Sequence, residues 1–296
     1  MRSPWTRREF LQTTGRVAAG ACALAVPGLS GADRDDAAGD PIEPGLQLYT
    51  LRDLLAKDFR GTLEQVAAIG YREVQVSPRA GLTPVQIRSI LDDNGLVCPS
   101  THFELRNSVA EEIDAAKTLG AKYVFLSAPV EVFVIEAGKV VGLRTDLGGD
   151  AYRKIADDLN RTGEQFRAAG LVYGYHNHHF EFIRVDGALP YDILLDRTDP
   201  ELVAIELDLG WFQAAGADPL PFIERYPGRF PVCHVKDVLA DGQFVDPGQG
   251  TVDFARTFDH AKQAGLRHYF VEHDTAKDPI ATARAGYAFL KTQRAR

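Results

Sequence analysis

Residues 171–182 read Leu171-Val172-Tyr173-Gly174-Tyr175-His176-Asn177-His178-His179-Phe180-Glu181-Phe182. The run begins apolar and aromatic, as a buried strand does. It ends in groups that bind metals or move protons: three of the chain's eight histidines, then a carboxylate. A strand that is apolar until its C-terminal end and polar beyond it is how an α/β barrel builds its catalytic mouth. The alternative is a solvent-facing histidine-rich loop. The decision rests on whether other strands end the same way.

Outward from this stretch, one unit recurs. Helical patterns close on glycine and an apolar strand follows, at Ile69-Gly70-Tyr71, Asn94-Gly95-Leu96, Leu119-Gly120-Ala121, Ala169-Gly170-Leu171 and Ala264-Gly265-Leu266. Glycine just past a helix supplies the left-handed conformation that ends it. The pattern gives eight strands: Gly45–Leu51, Glu73–Ser77, Val97–Thr101, Tyr123–Ser127, Val172–Tyr175, Leu202–Leu207, Phe230–Val235 and His268–Val271. Thr83-Pro84 and Ser108-Val109-Ala110-Glu111 mark helix starts by N-cap and capping box. Helices are expected at about 150–169, 218–226, 253–264 and 279–292, and a small hairpin at 133–143 turning at Ala137-Gly138. Eight βα units favour a closed (β/α)8 TIM barrel over an open sheet. No Gly-x-Gly-x-x-Gly follows any strand, which counts against dinucleotide binding.

Four strand ends carry chemistry. Strand five leads to Glu181, strand six ends Glu206-Leu207-Asp208, strand seven reads His234-Val235-Lys236-Asp237, and strand eight reads Glu272-His273-Asp274. Carboxylates and an imidazole brought together at one mouth suit a divalent ion such as Mn, Mg, Co or Zn, and exclude an all-thiolate metal. Lys236 shares a side of its strand with His234 and can steady an oxyanion. His102, His176 and His178 are candidates for substrate binding, and Trp211 offers a flat apolar face to a sugar ring.

These segments, with Gln47-Leu48-Tyr49-Thr50-Leu51-Arg52-Asp53 and Tyr175-His176-Asn177-His178-His179-Phe180-Glu181-Phe182, resemble the sugar phosphate isomerase/epimerase family, whose fold is a xylose isomerase-like TIM barrel. The resemblance runs from about residue 45 to 292. It implies Glu181, Asp208, His234 and Glu272 as metal ligands, and Glu181 and Glu272 as the proton-transfer pair. It also implies that Gly248-Gln249-Gly250-Thr251-Val252-Asp253-Phe254 is a mobile loop. The function implied is isomerisation or epimerisation of a small carbohydrate through an enediolate. Two alternatives stand beside it: a lyase that cleaves a 3-keto-glycoside by β-elimination, and a non-catalytic periplasmic sugar-binding protein.

Composition narrows the partners. The 296 residues are 45% hydrophobic and 25% charged, as in an ordinary globular protein. A net charge of −8 argues against nucleic acid. The partner expected is a small sugar or glycoside, with a homo-oligomer left open. Three cysteines form neither a disulfide framework nor a zinc motif. Thr6-Arg7-Arg8-Glu9-Phe10-Leu11, a short apolar stretch to Val26, and Ser30-Gly31-Ala32 resemble a twin-arginine export signal over residues 1–32. The apolar stretch is too short for a stable membrane anchor. Residues 33–44 read as a linker, 45–296 as the barrel domain, and the mature protein as periplasmic or secreted.

Overall fold

In the computed structural model, residues 39–136, 139–144 and 147–296 are described. The expected export signal, the first half of the expected linker and the turn at Ala137-Gly138 lie outside them. All eight expected strands form: β1 (Pro44–Gln47), β2 (Glu73–Val76), β3 (Val97–His102), β4 (Tyr123–Leu126), β5 (Val172–His176), β6 (Val203–Asp208), β7 (Val232–Val235) and β8 (His268–Val271). They are parallel and close in sequence order, with β8 pairing back onto β1. The end of the expected linker is itself structured, since Asp40–Pro41 pairs antiparallel with Arg294–Ala295. The first strand stops at Gln47, earlier than expected. Its side chain accepts a hydrogen bond from the Tyr49 amide and turns Leu48–Leu51 into a 3₁₀ helix.

Local signals set the helix boundaries. Thr83 and Ser108 each complete a capping box, with Gln86 and Glu111. Gly120 and Gly265 take left-handed conformations at φ 78° and 83°, closing the helices before them. The long helix expected at 150–169 spans Gly149–Ala168 and buries Tyr152, Ile155, Ala156, Leu159 and Phe166, a stripe of helical period facing the barrel. The helix expected at 253–264 forms as two pieces, Phe254–Phe258 and Ala261–Ala264. The hairpin forms as Phe133–Glu136 against Lys139–Leu143. Among the described residues no helix is long and apolar enough to cross a membrane.

Alternation along the strands divides the side chains into two sets. Leu46, Val74, Val76, Val124, Tyr173, Tyr175, Ile205, Leu207, Val235 and Val271 point outward into the large core shared with the helices. Tyr123, Phe125, Ala204, Val232 and Phe270 form a separate apolar cluster, with Val172 packed against it. This smaller cluster fills the barrel interior below the mouth. Its two phenylalanines need space: a Cβ on Gly45 would lie 2.4 Å from the Phe270 ring, and one on Gly174 2.4 Å from the Phe125 ring. One step further along the same inward face the residues turn polar: Gln47, Gln75, Ser100, His102, His176, Glu206 and His234, all buried.

Candidate metal centre and active site

Strand register brings the polar layer together. His176 pairs with Glu206 across β5 and β6, and Asp208 pairs with His234 across β6 and β7. Glu206 and Asp208, two residues apart, share the inward face. Glu206 is a saturated hub. Its Oε2 lies 2.7 Å from His102 Nε2 and 3.0 Å from His176 Nδ1. Its Oε1 accepts from Gln75 Nε2 at 2.5 Å and lies 3.1 Å from His234 Nε2. Gln75 is held in turn by Ser100 and Gln47, and its Oε1 lies 2.6 Å from His234 Nε2. Burial alone would push the Glu206 carboxyl up, but His234 and His102 outweigh it and hold the group well below the usual range.

Above this layer lies a second cluster. Asp208, His234 and Glu272 are buried, with Asp208 Oδ2, His234 Nδ1 and Glu272 Oε2 converging. His234 Nδ1 is 2.7 Å from Glu272 Oε2 and 3.5 Å from Asp208 Oδ2. Lys236 Nζ sits 2.9 Å from each of those two oxygens and 3.1 Å from Asp274 Oδ2. Yet Asp208 Oδ2, His234 Nδ1 and Glu272 Oε2 make no hydrogen bond of acceptable geometry. Buried polar atoms are almost always hydrogen-bonded, so three orphans meeting at one point fit a divalent ion bound by oxygen and nitrogen. The acids' demand for positive charge shows in their neighbours. Burial opposes the charged forms of His234 and Lys236, but Glu206 and Glu272 raise the imidazole, and Asp208 and Glu272 the ammonium, well above their usual values. Asp274 is pushed up to about 6, by burial first, against the pull of Lys236.

Asp208 is also fixed from outside the cluster. Its Oδ1 caps the helix Leu209–Ala214 through the Trp211 amide, and Asn177 brackets its backbone with two hydrogen bonds. Trp211 and Phe244 roof the site, their ring centroids 4.9 Å apart in an edge-on contact, with Lys236 Nζ 5.0 Å from the Trp211 centroid. The loop expected to be mobile is tied down at one end. Asp237 accepts from the backbone amides of Val238, Gly248, Gly250 and Val252.

Of the expected site residues, His102, His176, Lys236, Trp211, Asp208, His234 and Glu272 come together. His178 stays at the rim, its ring against Phe180 and Trp211, and burial lowers it well below the usual histidine range. Glu181 is elsewhere. Tyr175 points outward, and its hydroxyl donates to Glu181 Oε1, while the His178 amide donates to Oε2 at 2.8 Å. Burial pushes this carboxyl up to about 7. Sequence reasoning did not single out Gln47, Gln75, Glu206 or Asp274. For Gln75 and Glu206 the signal was present: a polar side chain at an inward-facing position of an apolar strand.

Residues 63–293 match the family described as xylose isomerase-like TIM barrel. This chain belongs to that family. An inosose dehydratase of Lacticaseibacillus casei is 25% identical over 251 residues, covering 74% of this chain and 84% of the relative. A sugar phosphate isomerase/epimerase structure from Parabacteroides distasonis superposes with TM-score 0.69 at 26% identity, covering 88% of this chain and 96% of the other. A 3-keto-D-glucoside 4-epimerase from E. coli shares the fold, with TM-score 0.62 at 15% identity, covering 85% of this chain and all (100%) of the other.

Proposed function

We propose that this chain is a divalent-metal-dependent enzyme that removes the proton beside the ketone of a small polyhydroxy ketone, and that the reaction proceeds to β-elimination of water or of a glycosidic oxygen. The observation that carries the reading is the convergence of the unsatisfied atoms Asp208 Oδ2, His234 Nδ1 and Glu272 Oε2 at adjacent strand ends. A divalent ion held there would stabilise the negative charge that develops on the ketone oxygen as the neighbouring carbon loses its proton. Glu272 is the carboxylate assigned to take that proton, with Lys236 holding it in place from 2.9 Å. His102, across the barrel and anchored by Glu206, is placed to return a proton or to bind a hydroxyl. Trp211 and Phe244 supply the apolar roof over a sugar ring.

Elimination is preferred because the curated relatives that cover most of the chain are named as inosose dehydratases. The name of the Parabacteroides relative supports a second reading, isomerisation or epimerisation, which begins with the same deprotonation. Lys236 is already flanked by three carboxylates. That favours a neutral, hydroxyl-rich substrate over a phosphorylated one. We also propose, from Arg7-Arg8 and the apolar stretch behind them, export by the twin-arginine route.

The test is product analysis by NMR after incubating the metal-loaded protein with an inosose and with 3-keto-glucosides. Loss of water or release of the aglycone supports elimination. An epimeric or isomeric ketose moves the assignment to the second reading, and binding without turnover of any of them returns the sugar-binding alternative.

A further inference from the structure

We infer that a fourth side chain completes the metal centre and that it is His176, through Nε2, with Glu206 fixing the orientation of its imidazole. The inference rests on the metal site proposed above and names a ligand that differs from the Glu181 implied by the family resemblance.

His176 ends β5 on the inward face, level with Glu206, while Tyr175 before it faces the outer core. The two nitrogens of His176 have different surroundings. Nδ1 lies 3.0 Å from Glu206 Oε2, and Nε2 faces Asp208 Oδ2 at 3.8 Å. That second distance is too long for a hydrogen bond. It is close to the separation of about 3–3.5 Å kept by two ligands that each lie about 2.1 Å from one ion. His234 repeats the arrangement with its nitrogens exchanged. Its Nε2 bonds Gln75 Oε1 at 2.6 Å with Glu206 Oε1 3.1 Å away, and its Nδ1 lies 2.7 Å from Glu272 Oε2 and 3.5 Å from the same Asp208 Oδ2. Glu206 thus bonds the Nδ1 of His176, Gln75 bonds the Nε2 of His234, and each ring keeps its second nitrogen on the side of Asp208 Oδ2. Carboxylates that orient metal-bound histidines act in this way.

The competing arrangement, an ion inside the cluster of His102, His176, Glu206 and His234, is disfavoured by the same contacts. Both Glu206 oxygens already hold hydrogen-bonding partners, His102 and His176 on one and Gln75 on the other, whereas Asp208 Oδ2, His234 Nδ1 and Glu272 Oε2 have ion-pair neighbours but no hydrogen bond. Glu181 is disfavoured by its own partners. To reach the ion it would have to release both the Tyr175 hydroxyl and the His178 amide and move from the outer face to the inner one. The resulting set is two imidazoles and two carboxylates. It neutralises a divalent ion without excess negative charge and shifts preference from magnesium toward cobalt or zinc.

The experiment is titration of the full chain with Co²⁺, reading metal content after dialysis and the visible absorption of the bound ion. Thermal melts of each variant check folding. Asp208→Ala should lose the ion. His176→Gln should weaken binding at least tenfold and alter the spectrum. Glu206→Gln should weaken it by about 10–100-fold, as for other groups that orient metal-bound histidines, and also alter the spectrum. Glu181→Gln should bind with wild-type affinity and an unchanged spectrum. The inference is overturned if Glu181→Gln loses Co²⁺ while His176→Gln keeps it with the wild-type spectrum. Retention of Co²⁺ by Asp208→Ala would instead overturn the metal site itself, and with it this ligand.

Discussion

Lys236→Met isolates the electrostatics of the centre. Methionine approximates the length and volume of the lysine stem, which packs so closely on Gly210 that a Cβ there would come within 2.5 Å of Lys236 Cγ. The substitution therefore removes a charge with little change in packing. Lys236 is 1% exposed and lies within 3.1 Å of oxygens from Asp208, Glu272 and Asp274. Deleting one partner of a buried ion cluster typically costs about 3–5 kcal/mol, because the remaining charges are left uncompensated. For a domain of this size each kcal/mol lowers the melting temperature by roughly 2–4 °C, so metal-free Lys236→Met should melt about 6–20 °C below the wild type. A divalent ion supplies the missing positive charge, so its addition should raise the melting temperature of the variant more than that of the wild type. Calorimetry in chelator and in excess Mn²⁺ or Co²⁺ reads both effects. A metal-free variant melting within about 2 °C of the wild type would refute the assignment of Lys236 as the counter-charge.

Glu181 yields a pH prediction. Its carboxyl, raised by burial from 4.5 to about 7, binds a proton more tightly folded than unfolded. Stability should therefore fall as pH rises from about 4.5 to 7, by about 3 kcal/mol in total, and level off above. In Glu181→Gln that component should vanish from urea unfolding; equal slopes in both proteins would contradict it. The Arg79 guanidinium and the Glu112 carboxylate form a buried bidentate pair at 2.9 and 2.6 Å, and Asn107 also donates to Glu112. Glu112→Ala should cost about 3–5 kcal/mol in the same assay, and a loss below about 1 kcal/mol would count against it. Replacing Arg7 and Arg8 with lysine should leave the precursor in the cytoplasm, whereas unchanged export would exclude the twin-arginine route.

The barrel was legible because its signals are local. Glycines after helices, N-caps such as Thr83 and Ser108, and short apolar runs each specify an element within a few residues. That Asp208, His234 and Glu272 meet was legible because each lies at or beside the C-terminal end of an apolar strand. The position of Glu181 was not. It lies five positions after His176, and in that interval the chain leaves the strand and enters the 3₁₀ helix Phe180–Phe182. Alternation no longer tells inside from outside there. Glu206 was hidden by its neighbour: of two acids on one face of β6, the terminal one drew the ligand role, and only the cross-barrel contacts show that the inner one serves the histidines. Gln75 becomes meaningful only when strands far apart in sequence meet inside the barrel.

Solvent exchange measures the central step directly. The metal-loaded protein is mixed with an inosose in D₂O, and ¹H NMR follows the proton on the carbon beside the ketone. Deprotonation by Glu272 at a metal centre predicts substrate labelling or deuterated product in the wild type, abolition of both by chelator, and a fall of orders of magnitude in Glu272→Gln with the ion still bound. Equal rates in chelator-treated wild type, or in Glu272→Gln, would contradict it.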